Sequence, residues 1–189
     1  ALLAPGAAPS LKDQLVAKAH LSLETLQDAT TIGGFYSRGL NHWGVEMQKS
    51  GKLTNAAAHF QHALDLNPDN LVAEVNLECN SKLRQGLKGT VDVSKSIEDK
   101  FGSKYRNWDQ VMGDNGPFDE PSFCFEQGRV FVGNSQYRQA AGQFARVQTL
   151  APDNLAARIW LGQLYVVSQM PAEALKLLKD FAAWIAQNE

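Results

Sequence analysis

The stretch at residues 121–154, PSFCFEQGRVFVGNSQYRQAAGQFARVQTLAPDN, runs directly into residues 155–188, LAARIWLGQLYVVSQMPAEALKLLKDFAAWIAQN. Gly128 and Gly162 are separated by the same interval as Ala140 and Ala174, so each glycine is followed by an alanine at one fixed offset. Bulky apolar residues flank both pairs at matched offsets. From Cys124 the chain reads Cys124-x2-Gln127-Gly128-x2-Phe131, then Ala140-x3-Phe144, then Pro152; from Arg158 it reads Arg158-x2-Leu161-Gly162-x2-Tyr165, then Ala174-x3-Leu178. A fixed period of about 34 residues is the mark of stacked copies of one supersecondary unit.

An earlier copy is the cleanest. Leu40-x2-Trp43-Gly44-x2-Met47 leads to Ala56-x3-Phe60, Ala63 and Pro68, and Asn67-Pro68-Asp69-Asn70 closes it as Ala151-Pro152-Asp153-Asn154 closes the later one. This pattern resembles the tetratricopeptide repeat, large-x2-Leu-Gly-x2-Tyr, then Ala-x3-Phe, then Pro. The resemblance covers residues 37–70, 121–154 and 155–188, about half the chain. It implies an all-α fold: a right-handed helical-hairpin solenoid with three clear repeats and one divergent repeat carrying an insertion.

The residue chemistry agrees. Gly44 with Ala56, and Gly128 with Ala140, are small where two paired helices have to approach closely, and Trp43, Phe60, Phe144, Tyr165 and Leu178 are expected to fill the space beside them. Pro68 and Pro152 bias the preceding residue away from helix, and the Asp-Asn that follows offers a side-chain oxygen to cap the next helix.

The interval from Gly44 to Gly128 exceeds two such periods by roughly half a period, so a divergent repeat at 71–104 and an inserted loop at 105–120 are expected between them. Val72, Val75, Leu77, Cys79 and Leu83 form mixed helical faces, with Glu78 standing where the glycine should be. Val91, Val93, Ile97 and Phe101 mark the second half. Residues 106–120 are rich in turn formers and read as loop. At the other end, Ala1 to Ser10 reads as a linker or a trimmed end. Ser10 caps an expected helix with Leu11, Leu15, Ala19, Leu23 and Leu26 along one side, which Thr30 to Gly34 ends. Residues 11–36 are thus a helix and turn packed on an array that spans 37–189.

Composition allows a soluble helical array: 44% hydrophobic and 20% charged residues in 189, enough for one continuous core. A formal net charge of −2 gives no electrostatic reason to expect nucleic acid. No run approaches the roughly 18 apolar residues of a membrane span, so no membrane insertion of this segment is expected. Cys79 and Cys124 have no metal-ligand spacing and are expected as buried free thiols. His59 and His62 lack a third ligand, and Asp114, Asn115, Asp119 and Glu120 lack the ligand order of an EF-hand loop, so no metal or cofactor is expected. No phosphate-binding loop, nucleophile elbow or zinc-hydrolase motif is present, so no enzyme is expected.

What remains is a surface made by stacking. In such arrays the first helix of each pair lines a concave groove that binds an extended or helical peptide. Helical spacing gives the candidates Arg38, Asn41, His42, Val45 and Lys49; Val72, Asn76 and Cys79; Phe125, Glu126 and Arg129; Ile159, Trp160 and Gln163. Trp160 stands out, because Leu161 and Tyr165 already supply the core residues of its helix; a capping role suits it equally. Some members of the resembling family grip a C-terminal carboxylate with Lys, Asn, Asn, Lys and Arg on successive first helices. Asn76 and Asn41 resemble two of these, but Ser122 and Glu126 occupy the places of the basic pair, so that specificity is not expected. Two readings result: a non-catalytic scaffold binding a protein or peptide of unknown identity in its groove, or the soluble assembly or regulatory tail of a larger bacterial membrane protein or enzyme. The sequence decides neither the compartment nor the oligomeric state.

Overall fold

The computed structural model describes residues 27–91, 105 and 108–188. Among them are eight helices and no strand: α1 Gln27–Lys49, α2 Leu53–Leu66, α3 Leu71–Arg84, α4 Trp108–Asn115, α5 Pro121–Gly133, α6 Tyr137–Leu150, α7 Leu155–Val167 and α8 Pro171–Asn188. The expected linker at 1–10, the helix from Ser10 and the second helix of the divergent repeat beyond Val91 lie outside the described residues. The expected break at Thr30 to Gly34 is absent, since α1 runs through it without interruption. Gly33 has a packing reason to be there: a Cβ on it would stand 3.0 Å from the Leu66 carbonyl oxygen, so α1 and the end of α2 meet backbone to backbone.

Consecutive helices pack on one another: α2 on α3, α5 on α6, α6 on α7 and α7 on α8. The small residues set the spacing as the period requires. A Cβ on Gly44 would clash with the edge of the Phe60 ring, and one on Gly128 would stand 2.8 Å from the Phe144 ring. Ala56, Phe60, Ala140 and Phe144 are fully buried around these contacts. Asn70 and Asn154 cap α3 and α7, accepting from the amides of Ala73 and Ala157 at 3.0 and 2.9 Å.

The divergent repeat is shifted by one position. Cys79, next to Glu78, is fully buried, and a Cβ on Gly89 would meet its sulfur at 2.9 Å. Glu78 faces outward and pairs with Lys82 at 3.1 Å. The turns that reverse the chain after α1, α3, α5 and α7 carry the same shift, each placing one residue at positive φ: Gly51, Gly86, Ser135 and Gln169. The interval from Gly51 to Gly86 is one position longer than that from Ser135 to Gln169.

Two expected core residues are on the surface: Trp43 is 58% exposed and Leu178 is 61% exposed. Both belong to positions that a neighbouring repeat covers. Leu161, the counterpart of Trp43 in α7, is buried against α6, whereas α1 is the first described helix; Phe144, the counterpart of Leu178, is buried by α7, whereas α8 is the last. Tyr165 is half-buried.

The expected inserted loop holds α4, and the chain after it is buried rather than solvated. Phe118, Asp119 and Glu120 are buried, as are Val111 and Asn115 on the inner side of α4. Val111 and Phe118 join Val72, Val75, Cys79 and Val91 in one apolar cluster. No described helix is long and apolar enough to cross a membrane.

Candidate peptide-binding groove

The inner faces of α1 and α3 carry a row of amides. Asn41 and Gln48 are two turns apart along one face of α1, and Asn76 and Asn80 are one turn apart in α3. All four are buried. The rows interlock, with Asn76 Nδ2 donating to Asn41 Oδ1 at 2.8 Å and Asn80 Nδ2 donating to Gln48 Oε1 at 2.9 Å.

The chain's own residues 115–119 lie across this row. Asn41 Nδ2 donates to the carbonyls of Asn115 and Pro117 at 2.9 and 3.1 Å. Asn76 Nδ2 donates to Pro117 O at 2.9 Å, and Asn76 Oδ1 accepts from the Asp119 amide at 2.8 Å. Asn70 Nδ2, at the head of α3, donates to Asn115 O at 3.2 Å. Gln48 Nε2 donates to the carbonyl and to the carboxylate of Asp119 at 3.1 and 2.9 Å.

Asp119 is 1% exposed. Its carboxylate is held by Arg146 of α6 through two parallel bonds, Nε to Oδ1 at 2.7 Å and Nη2 to Oδ2 at 2.5 Å, the bidentate geometry that compensates a buried carboxylate best. Glu120 next to it caps α5, accepting from the Phe123 amide at 2.9 Å and the Val91 amide at 3.3 Å. The carboxylate oxygens of Asp119 and Glu120 thus meet protein donors. Burial raises both thiols: the Cys79 sulfur, which donates to Asp119 O at 3.4 Å, is pushed up strongly, and Cys124 to about 12, with the Asp119 charge adding to each.

The candidates therefore divide in two. On α1 and α3, Asn41 and Asn76 touch residues 115–119, Val45 and Val72 are fully buried in the core, and Cys79 does both. Arg38, at the edge, donates from Nη1 to Gly113 O at 2.7 Å, while Lys49 is exposed and pairs with Glu46 at 3.0 Å and His42 faces solvent. On α5 and α7 the face is open. Phe125 and Ile159 share one register position and Arg129 and Gln163 share the next; Ile159 is 58% exposed, and Arg129, paired with Glu126 at 3.2 Å, and Gln163 are exposed. Phe125 is half-buried, edge-on to Phe144. Trp160 is not free: it stacks on Phe144 at 5.7 Å between ring centres, which places it in the contact between repeats.

An open groove of about 520 Å³ runs beside Ile159, Gln163 and Val166 of α7 and Ala174, Leu178 and Phe181 of α8. Sequence reasoning misses Gln48, Asn70, Asn80, Asp119 and Arg146 as members of the site. A polar row at i, i+4 and i+7 spacing on faces that should pack is the available signal for Gln48 and Asn80; nothing local points to Arg146.

A family model described as tetratricopeptide repeat matches residues 131–189, from the end of α5 through α8. No curated protein matches the chain.

Proposed function

We propose, from the tetratricopeptide repeat matched over α6 to α8, that the chain is a protein-interaction scaffold, and that it holds an extended partner segment along the inner face of α5 and α7. Repeats of this family generally mediate protein–protein interaction, which is the coarse part of the reading. The observation that carries the finer part is the contrast between the two halves of the inner face. Asn41 and Asn76 are covered by the chain itself, whereas Arg129 of α5 and Ile159 and Gln163 of α7 are exposed, the latter two lining the open groove between α7 and α8. An exposed isoleucine flanked by an arginine and a glutamine offers apolar burial with donors at its edge, the composition of a recognition surface.

The test begins with affinity capture by the full chain and identification of the retained protein by mass spectrometry. Binding of that purified protein is then compared between the Arg129→Ala, Ile159→Ala, Gln163→Ala triple and a control pair, Lys176→Ala with Lys179→Ala, both exposed on α8. The triple is expected to weaken binding at least about 30-fold, from roughly 2 kcal/mol at a hot spot, with helicity unchanged and the control unaffected. A triple that binds like the parent chain overturns the placement on α5 and α7.

A further inference from the structure

Residues 115–119 are held as a ligand is held. Three of their carbonyls, those of Asn115, Pro117 and Asp119, accept from side-chain amides of α1 and α3 or the Asn70 cap, and the Asp119 amide donates to Asn76. Side chains reading a main chain is the way one polypeptide recognises another without demanding its full sequence. Two side chains are read: Phe118, buried in one cluster with Val72 and Val75, and the Asp119 carboxylate, clamped by Arg146 and Gln48. Gly116 completes the motif. It sits at φ +92°, and a Cβ there would stand 2.8 Å from Asn41 Nδ2 and 3.1 Å from the Arg38 carbonyl. The matched positions on α5 and α7 hold Phe125, Arg129, Ile159 and Gln163, a single amide that forms no row.

We propose that the inner face of α1 and α3, completed by Arg146, is a receptor site for a Gly-Pro-Phe-Asp segment, filled in this chain by its own residues 116–119, and that the same sequence supplied in trans binds there once the internal occupant is displaced. The internal segment has an effective concentration on the order of millimolar, so a free peptide of equal intrinsic affinity needs a similar concentration to take half the sites. The unaltered chain therefore excludes such a peptide at micromolar concentration, and a change that ejects the segment opens the site.

The experiment uses the full chain and a fluorescent hexapeptide, Asn-Gly-Pro-Phe-Asp-Glu, blocked at its C-terminus and followed by anisotropy. Gly116→Val ejects the segment by adding a β-branched side chain where there is neither space nor a tolerated φ. Phe118→Ala with Asp119→Ala ejects it independently by removing both side-chain anchors. The parent chain is expected to show no binding up to about 100 μM, and each variant to bind in the micromolar range. Replacing the aspartate of the peptide by asparagine should weaken binding about tenfold or more through the Arg146 clamp, and adding Asn76→Ala to either variant should abolish it. The Arg129, Ile159, Gln163 triple should leave it unchanged, which separates this site from the one on α5 and α7. A folded variant that binds no peptide, or binds both peptides alike, overturns the proposal. So does loss of helicity and cooperative unfolding in both variants, because the segment is then inseparable core and not an occupant.

Discussion

Gly128 has no side chain because the Phe144 ring occupies the place where one would be, and that ring is itself fully buried and has nowhere to move. Overpacking of this kind costs roughly 1 to 3 kcal/mol. Gly128→Leu should lower the denaturation midpoint accordingly, and Gln139→Leu, on the exposed side of α6, should leave it nearly unchanged. Gly162 holds the same place in the next repeat, yet the nearest atom to a Cβ there is Leu177 Cδ2 at 3.6 Å, an ordinary contact. Gly162→Ala should therefore be neutral or stabilising by up to about 1 kcal/mol through helix propensity, whereas Gly128→Ala should destabilise. Equal midpoints for these two alanine variants would sink the packing account. The period marks both glycines as equivalent; what meets them across the helix pair, the Phe144 ring in one and Leu177 at ordinary contact distance in the other, makes them differ. Trp43 and Leu178 lie on the surface for a related reason, since a repeat position is buried by its neighbour and not by its own identity.

At the scale of the element, the junction between α4 and α5 ties α1 and α3 to α6. Asp119 reaches Gln48 in α1, Asn76 in α3 and Arg146 in α6. It is nearly inaccessible, while the Arg146 side chain is 15% exposed, so the two partners should not cost the same when lost. Removing the arginine strands a carboxylate without its counter-charge, for which breaking a buried pair costs about 3 to 5 kcal/mol. Arg146→Met should approach that range, Asp119→Asn should cost less, and the double variant should fall well short of the sum. Urea denaturation of the four proteins measures the coupling; additivity within about 0.5 kcal/mol would show that the pair does not act as a unit. The turn-rich composition of residues 106–120 sets them apart from the repeat pattern in the sequence. It hides the burial, because Gly116 and Pro117 serve a buried irregular segment as well as they serve a solvated turn.

At the scale of the molecule, stability in a stacked array is a sum of neighbour contacts, so an end helix has half the support of an internal one. Leu175, Leu178 and Ile185 of α8 are all exposed, while α3 and α6 are covered on two sides and bury Val72, Val75, Phe144 and Val147. Amide hydrogen exchange should be fastest in α8 and slowest in α3 and α6. Uniform protection across the helices would mean that the array opens only as a whole and that the exposed residues of α8 are covered in solution.

The repeat period by itself determined the helix pairs, the small-residue contacts at Gly44 and Gly128 and the caps at Asn70 and Asn154, because each depends on spacing within one or two helices. The tertiary structure alone decided which half of the inner face is open. Asn41 meets Asn115 and Pro117, far along the chain, a closure that no local pattern encodes. The chemistry does not disclose it either: a carboxamide offers its oxygen and its amino group equally to a partner or to its own chain, and only the path of the backbone between α4 and α5 assigns them.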